Sequence, residues 1–271
     1  MEALALAAAW EGDPALVVVD RSGELDRFGP VEEPRPWASV TKLFTAYAVL
    51  LAYEEGNLDL EEPAGPPGST VRHLLAHASG LPFDGGRPVI GPGRKRIYSN
   101  TGIDLLADLL SQRTGQPFAT YLAKGVLGPL GAQADLTGPA SQGLVGDVLS
   151  IGRLAMDTLN PVLIDPDTVA DATRVQFPGL DGILPGVGRY KPLDWGLGFE
   201  IRSEKSPHWT GTTNSPTTFG HFGGSGSFLW VDPVAGVAIA CLAGVPFGEW
   251  ALAAWPRLAD AVLAEIGLNR N

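Results

Sequence analysis

Apolar segments bounded by turn residues lie near both ends of the chain. Residues 14 to 29, "PALVVVDRSGELDRFG", carry apolar runs on either side of a turn-rich stretch, which predicts a β-hairpin. Near the C-terminus, "DWGLGFEI", "GSFLWVDP" and "GVAIACLAG" predict three more strands, and the last two are separated by a hairpin signature. If the two ends pair, they form one antiparallel sheet.

Helical patterns flank and separate these strands. The opening "MEALALAAAW" indicates the first turns of an amphipathic helix, and residues from about Trp250 to Ile266 predict a closing helix. Another helix is predicted from about Ser39 to Glu55, with Gly56 just beyond its end. Its apolar residues cover most of its circumference, so we expect it to be packed on several sides.

The middle of the chain has a different character. Helical segments alternate there with connectors rich in proline and glycine, and no strong strand signal occurs from residue 60 to about 190. We therefore predict an α+β fold with two lobes. Residues 1–58 and 192–271 would form a discontinuous α/β lobe, and residues 59–191 an inserted helical lobe. A cleft between lobes is a common place for a binding site.

Composition and charge narrow the possible functions. The 271 residues are 45% hydrophobic and 18% charged, which permits a large core. The formal net charge of −11 disfavours a nucleic-acid partner, because the only dense basic run is Arg94-Lys95-Arg96. We interpret that run as a solvated loop that borders the cleft.

Membrane and redox functions are also disfavoured. No stretch is long and apolar enough to span a bilayer, and no basic region precedes the opening apolar segment, so we predict a cytoplasmic protein with no membrane partner. The single cysteine, Cys241, lies in an apolar strand and is predicted to be a core residue.

Ser39 and Lys42 stand three positions apart at the start of the central helix. One interpretation is structural, with Ser39 as a helix cap and Lys42 reaching solvent. The other is catalytic. Residues i and i+3 share a helix face, the helix dipole favours a developing alkoxide, and a buried lysine is neutral more readily and can accept a proton.

Three further stretches favour the catalytic interpretation: "PGRKRIYSNTG" with Tyr98 and Asn100, "HLLAHASGLP", and "GHFGGSGS" with His221. In this order and spacing, S-x-x-K, Y-x-N and H-x-G resemble the serine β-lactamase and penicillin-binding protein superfamily. The tyrosine-containing set resembles its class C β-lactamase-like branch, which includes esterases and D-peptidases. The resemblance covers about residues 35 to 245 and implies the β-lactamase/transpeptidase-like fold, with a helical lobe shorter than usual.

The resemblance also implies roles for individual residues. Ser39 would be the acylated nucleophile, and Lys42 and Tyr98 would share the work of general base, with the Lys42 cation stabilising the Tyr98 phenolate. Asn100 would bind substrate and help to hold Lys42. The remaining implied positions are His221 and Gly223 of the H-x-G element, and the N–H groups of Ser39 and Gly224 as the oxyanion hole. No metal or organic cofactor is implied.

His221 is the main departure from the family pattern, in which a lysine provides a fixed cation. A histidine with the ordinary pKa near 6.5 is mostly neutral at pH 7.5, so we expect neutral esters to be preferred over carboxylate-bearing β-lactams. Any β-lactam hydrolysis would then improve as the pH falls toward 6. We predict a serine hydrolase that acts on small esters or amides. The alternatives are a true β-lactamase or D-amino-acid peptidase, and a catalytically silent protein that only binds a ligand.

Other candidates have weaker patterns. His73 and His77 have a spacing that could bind a metal, but no third ligand is apparent, so a structural role is predicted, with Thr70 as the N-cap of their helix. A second group could either line the acyl pocket or pack in the core. This group consists of Trp195, His208 and Trp209.

Overall fold

A six-stranded antiparallel sheet forms the centre of the protein in the computed structural model, which describes residues 1–269. Its strands run in the order β2-β1-β12-β11-β10-β9, so that the N-terminal hairpin pairs with the C-terminal strands, as predicted. The bounds are β1 Ala15–Asp20, β2 Gly23–Phe28, β9 Glu200–Ile201, β10 Phe219–Gly223, β11 Ser227–Asp232 and β12 Val237–Leu242.

Both faces of this sheet are covered, which explains why its central strands are almost wholly apolar. Side chains alternate between the two faces of a strand. In β1, Val17 and Val19 belong to one core, and Leu16 and Val18 belong to another. The protein therefore has three layers and two hydrophobic cores separated by the sheet.

Helices supply the outer layers. The α-helices are α1 Thr41–Glu54, α2 Val71–Leu75, α3 Asn100–Thr114, α4 Phe118–Leu122, α5 Gly128–Leu130, α6 Val148–Leu159, α7 Pro166–Ala172 and α8 Glu249–Asn269. Helix α1 packs in the first core with 11 of its 14 residues buried, which confirms the prediction of a central helix. Helix α8 covers the opposite face together with the N-terminal segment, where the carboxylate of Glu265 accepts the N–H groups of Glu2 and Ala3.

Several elements differ from their predicted form. The opening helix is a 3-10 helix, Glu2–Ala9, and "DWGLGFEI" contributes only the two-residue strand β9. The middle of the chain holds strands that the sequence pattern did not predict: β4 Arg96–Ile97, β5 Ala134–Leu136, β6 Leu144–Gly146, β7 Gly182–Leu184 and β8 Gly188–Tyr190. Segments of two or three residues are too short to display an alternation of apolar and polar positions.

These short strands form two small sheets that position the chain around the nucleophile candidate. Strand β3, Arg35–Pro36, pairs with β6, and the following Trp37 donates its backbone N–H to Leu144 and its indole N–H to Gly146. The second small sheet, β4-β7-β8, ends next to Tyr98. The division at residues 59 and 192 stays a prediction, and α6, from the predicted insertion, packs on strands β1 and β12.

Two further predictions concern the burial of Cys241 and the length and apolar character of the helices. Cys241 is fully buried in the core against α8, as expected, and burial raises the pKa of its thiol. Within residues 1–269, no helix has both the length and the apolar character that crossing a bilayer requires.

The approach of Gly198 to α1 provides a test of this packing. Gly198 has φ +89°, and a Cβ there would lie 2.3 Å from the Cβ of Ala46. We expect Gly198→Ala to cost about 1–2 kcal/mol for the left-handed backbone and about 1–3 kcal/mol more for the overlap. Gly179→Ala is the matched control, because Gly179 has φ +83° but no atom within 4 Å of its added Cβ. Equal losses in the free energy of unfolding, measured with urea, would contradict this packing.

Candidate active site

Ser39 lies in a 3-10 turn, Ala38–Val40, that leads directly into α1. Lys42 is on the first turn of α1 and is fully buried. Its Nζ lies 3.1 Å from Ser39 Oγ and donates to the carbonyl of Ser141 at 2.8 Å. Ala38 has φ +45°, a strained conformation for a residue with a side chain, and strain of this kind is concentrated at functional sites.

The electrostatic environment of Lys42 favours the neutral amine. Burial lowers the pKa of Lys42 to about 7, and the negative charges of Asp104 and Asp84 oppose that change. A pKa near neutral makes the unprotonated amine accessible at working pH, as a general base requires. Lys42 does not reach solvent, contrary to the structural interpretation.

Asp104, on α3, fixes the loop that holds Lys42. Its carboxylate accepts the backbone N–H of Ser141 at 2.8 Å and the Ser141 hydroxyl at 3.1 Å. Thr45 of α1 donates its hydroxyl to Ala140 in the same loop. Asp104 and Ser141 were not predicted from the sequence, because contacts between residues so far apart in the chain leave no local pattern.

Tyr98 is buried beside Lys42 and His221. Its Oη lies 3.0 Å from His221 Nε2, and Lys42 Nζ lies 4.8 Å from the centre of its ring. Burial raises the pKa of Tyr98, and the hydrogen bond with the Ser39 hydroxyl only partly offsets this. We expected the Lys42 cation to stabilise a phenolate; instead, the amine loses its proton near pH 7 and Tyr98 stays a neutral phenol.

His221 is also neutral, for a similar reason. Its Nδ1 accepts the backbone N–H of Phe222 at 2.9 Å, so the ring proton is on Nε2 and is donated to Tyr98 Oη. Burial, and then the charge of Lys42, lower the pKa of His221 to about 3. The expectation that His221 becomes charged toward pH 6 is therefore wrong.

Asn100 is the first residue of α3, and Ser99 is the residue that caps this helix, by accepting the N–H of Gly102. The Asn100 side chain donates to Asp84 at 2.9 Å, and its buried Oδ1 has no hydrogen-bond partner among residues 1–269. Asn100 was expected to hold Lys42. In the structure the Ser141 carbonyl makes that contact instead, and Asn100 keeps a free acceptor.

A glycine at the end of strand β10 lets the strand approach Ser39 closely. A Cβ on Gly223 would lie 2.9 Å from the Ser39 nitrogen and 2.6 Å from the Trp37 carbonyl oxygen, so only glycine fits there. Gly224 follows with open space where a Cβ would stand. Among the backbone hydrogen bonds outside helices and strands in residues 1–269, none uses the N–H of Ser39 or Gly224. Both donors are thus available to an oxyanion.

These groups surround a cavity of about 300 Å³. Five of the predicted residues line it: Ser39, Tyr98, Asn100, His221 and Gly224. Lys42 and Gly223 are not part of the lining and lie next to Ser39. The sequence analysis missed most of the apolar wall, which includes Phe83, Leu184, Pro185, Phe222 and Phe247.

His77 packs against Tyr98 and does not line the cavity. His77 accepts the N–H of Ser99 with its Nδ1 and the N–H of Ile97 with its carbonyl, and its ring packs on Tyr98 with centres 4.7 Å apart. His77 therefore holds the chain on both sides of Tyr98. Within residues 1–269, no cluster of three or more histidine, cysteine, aspartate or glutamate side chains could hold a metal.

The structure decides the open choices among the aromatic residues. Trp195 packs against Tyr98 and His221, with ring centres 5.8 and 5.4 Å away. His208 and Trp209 bind the buried Glu200 carboxylate. Like Trp195, these two residues are not part of the cavity lining. Thr70 occupies the N-cap position of α2, but its hydroxyl contacts the ring of His73 instead of a backbone N–H.

The basic run is not a simple solvated loop. Arg96 is buried, and its guanidinium donates to the carbonyls of Ala76, Gln176 and Leu193. Arg96 thereby joins three separate segments of the chain directly beneath Tyr98. Lys95 remains exposed at the surface.

Comparison with known proteins identifies the family of the chain. The beta-lactamase family model matches residues 16–263. The chain belongs to the beta-lactamase family of serine hydrolases. A beta-lactamase from Mycobacterium bovis has a TM-score of 0.96 and 48% identity, over 97% of this chain and 99% of that one. This confirms the β-lactamase-like fold and the resemblance of the motifs.

More distant relatives share parts of the sequence or the fold alone. D-alanyl-D-alanine-carboxypeptidase/endopeptidase AmpH of Escherichia coli K12 is 30% identical over an alignment of 165 positions that covers 43% of this chain and 43% of that relative. The match thus spans less than half of that protein. Simvastatin synthase LovD from Aspergillus terreus has a TM-score of 0.80 at 18% identity, over 98% of this chain and 99% of that one.

The contact between Asp104 and the Lys42 loop predicts a pH shift. The rate at which a fluorophosphonate labels Ser39 should rise with pH through about 7, the pKa of Lys42. Because the Asp104 charge raises that pKa, Asp104→Asn should move the midpoint to lower pH, by about one unit, while keeping hydrogen bonds to Ser141. Asp108→Asn removes an equal, exposed charge one turn further along α3 and is the control. A midpoint that moves equally in both variants would argue against direct coupling of Asp104 to Lys42.

Proposed function

We propose that this protein hydrolyses esters of small molecules, and amides less readily, through an acyl-enzyme at Ser39. The single observation that carries the preference for esters is the state of His221. A neutral, buried imidazole stands where the family pattern has a lysine cation, so the cavity has no fixed charge at that position for a carboxylate next to the scissile bond.

The first half of the reaction uses Ser39 and Lys42. Ser39 Oγ attacks the carbonyl carbon, and its proton passes to the neutral amine of Lys42, 3.1 Å away. The negative charge that develops on the carbonyl oxygen is stabilised by the N–H groups of Ser39 and Gly224. The bond between the carbonyl carbon and the alcohol oxygen then breaks, and the alcohol leaves with a proton.

Tyr98 is suited to passing that proton to the alcohol. It is a neutral phenol that accepts a hydrogen bond from His221 and contacts the Ser39 hydroxyl. It can donate its proton to the leaving oxygen and regain one from Lys42. A water molecule then attacks the acyl carbon, and the carboxylic acid departs as Ser39 recovers its proton. In this scheme Asn100 presents its free Oδ1 to an N–H or O–H of the substrate.

The names of relatives favour two alternatives of the same class. The Mycobacterium bovis structure is described as a beta-lactamase, and AmpH as a D-alanyl-D-alanine carboxypeptidase and endopeptidase. A silent ligand-binding protein is less well supported, because such a protein has no need for a lysine with a lowered pKa next to Ser39. A small molecule is the expected partner, and a cytoplasmic location stays a prediction.

The nucleophile can be identified by mass. A fluorophosphonate should add once to the intact protein, at Ser39, and Ser39→Ala should lose both the adduct and the hydrolysis of p-nitrophenyl butyrate. Ser225→Ala is the control, since the Ser225 hydroxyl donates to Pro36 and is not part of the cavity lining. An adduct that survives in Ser39→Ala would show that another residue is the nucleophile.

The role of His221 can be tested by restoring a cation. His221→Lys should raise the ratio of kcat/KM for nitrocefin to that for p-nitrophenyl butyrate by about ten- to a hundredfold, because a charge-assisted hydrogen bond contributes about 1.5–3 kcal/mol. His221→Gln, a neutral donor, is the control and should not raise it. In the wild type the ratio should favour the ester and should stay flat from pH 6 to pH 8, since the pKa of His221 is about 3. A wild-type preference for nitrocefin would overturn the assignment as an esterase.

A further inference from the structure

A second cavity of about 300 Å³ lies directly beside the active-site cavity. The two cavities share Phe83, Tyr98 and Pro185 as walls. Because Tyr98 contacts Ser39 and also faces the second cavity, an arm of a molecule bound at Ser39 needs only to pass these shared side chains to enter it. The second cavity therefore adjoins the active-site cavity.

The walls of the second cavity come from the small sheet next to Tyr98. Strand β4 pairs in parallel with β7, with Ile97 opposite Ile183. Side chains alternate along β7, so Leu184 lines the active-site cavity and Ile183 lines the second one. Ile183 is 62% exposed and Phe83 48% exposed. Large apolar side chains that stay exposed in a concave surface beside a reactive group are typical of a ligand-binding groove.

The second cavity also has a free cation. Lys95 lines it, is exposed, and forms no ion pair among residues 1–269. The other positive charges at this cavity are already engaged: Arg189 pairs with Asp181 at 3.3 Å, and Arg96 donates to backbone carbonyls.

We propose that the second cavity is a subsite for a substrate arm that is apolar along its length and ends in a carboxylate. Ile183 and Phe83 would pack against the arm, and Lys95 would bind the carboxylate. This proposal rests on the proposed function, since the arm belongs to an ester that is cleaved at Ser39. Lys95 precedes Tyr98 by three residues, so their Cα atoms are at most about 10 Å apart, which suits an arm of medium length.

This carboxylate is distinct from the one that a β-lactam carries. That group lies next to the scissile bond, where His221 offers no charge, whereas the proposed group lies at the far end of the arm. The two proposals therefore make compatible demands on a substrate: an ester that is neutral at the reacting carbonyl and charged at its remote end.

Two esters of equal chain length test the subsite. The measurement is the ratio of kcat/KM for p-nitrophenyl hydrogen suberate to that for p-nitrophenyl octanoate, which differ only in a terminal carboxylate or methyl group. An exposed ion pair contributes up to about 1 kcal/mol, so Lys95→Ala should lower this ratio about two- to fivefold, and Lys95→Glu should lower it further. High salt should reduce the difference between wild type and variants.

Matched controls separate this effect from a general change in charge. Lys124→Ala removes an equally exposed lysine that is not part of either cavity, and it should leave the ratio unchanged. Ile183→Ser should lower kcat/KM for both long esters and preserve their ratio. Hydrolysis of p-nitrophenyl acetate, which is too short to reach the subsite, should be the same in all these variants.

A binding measurement keeps the subsite testable without turnover. Ser39→Ala should bind monomethyl suberate more tightly than the double variant Ser39→Ala/Lys95→Ala, by the same two- to fivefold. Equal ratios and equal affinities in the Lys95 and Lys124 variants would overturn the subsite alone. If the wild type hydrolyses none of these esters but monomethyl suberate still binds in a Lys95-dependent way, the proposed function is overturned and the subsite is supported.

Discussion

The burial of Lys42 is the constraint on which the active site depends. An amine held away from water is unfavourable as a cation, and this desolvation is what lowers its pKa to about 7. The surroundings compensate with a carbonyl from Ser141 and a distant charge from Asp104, which keep the amine in place without restoring its ordinary pKa. The same desolvation keeps Tyr98 and His221 neutral, so one property of the environment sets the protonation state of three groups.

This environment is produced by packing against the sheet. Helix α1 can bury a lysine because it is enclosed by apolar side chains on nearly every side, and its hydroxyl groups are used to bind the loop that carries Ser141. Strand β10 reaches Ser39 closely only because Gly223 has no side chain. The geometry of the candidate site follows from helix burial and from the absence of one Cβ, more than from any hydrogen bond between its side chains.

Much of this arrangement could be predicted from the sequence. The hairpin β1-β2, the strands β11 and β12, and helix α1 have long patterns that local chemistry determines. The motif residues Ser39, Tyr98, Asn100, His221 and Gly224 were predicted as one group, and the structure brings them to one cavity. Their catalytic and binding roles stay proposals. The lowered pKa of Lys42 was predicted in direction, but the neutral states of Tyr98 and His221 were not, because burial is a property of the whole fold. Ser141, Asp104 and the groove formed by Ile183 were missed for the same reason: each depends on contacts between segments far apart in the chain.

The two hydrophobic cores meet at the active site. Lys42 belongs to helix α1, whose apolar residues pack in the core on one face of the sheet, while Tyr98 and Phe222 pack in the core on the other face. The 4.8 Å between Lys42 Nζ and the centre of the Tyr98 ring therefore joins a residue of the helix in one core to a residue of the other core. Neither core alone fixes it, and a loosening of either one, even without unfolding, would separate the Lys42 amine from the Tyr98 ring. The distance between Lys42 and Tyr98 therefore depends on the packing of both hydrophobic cores.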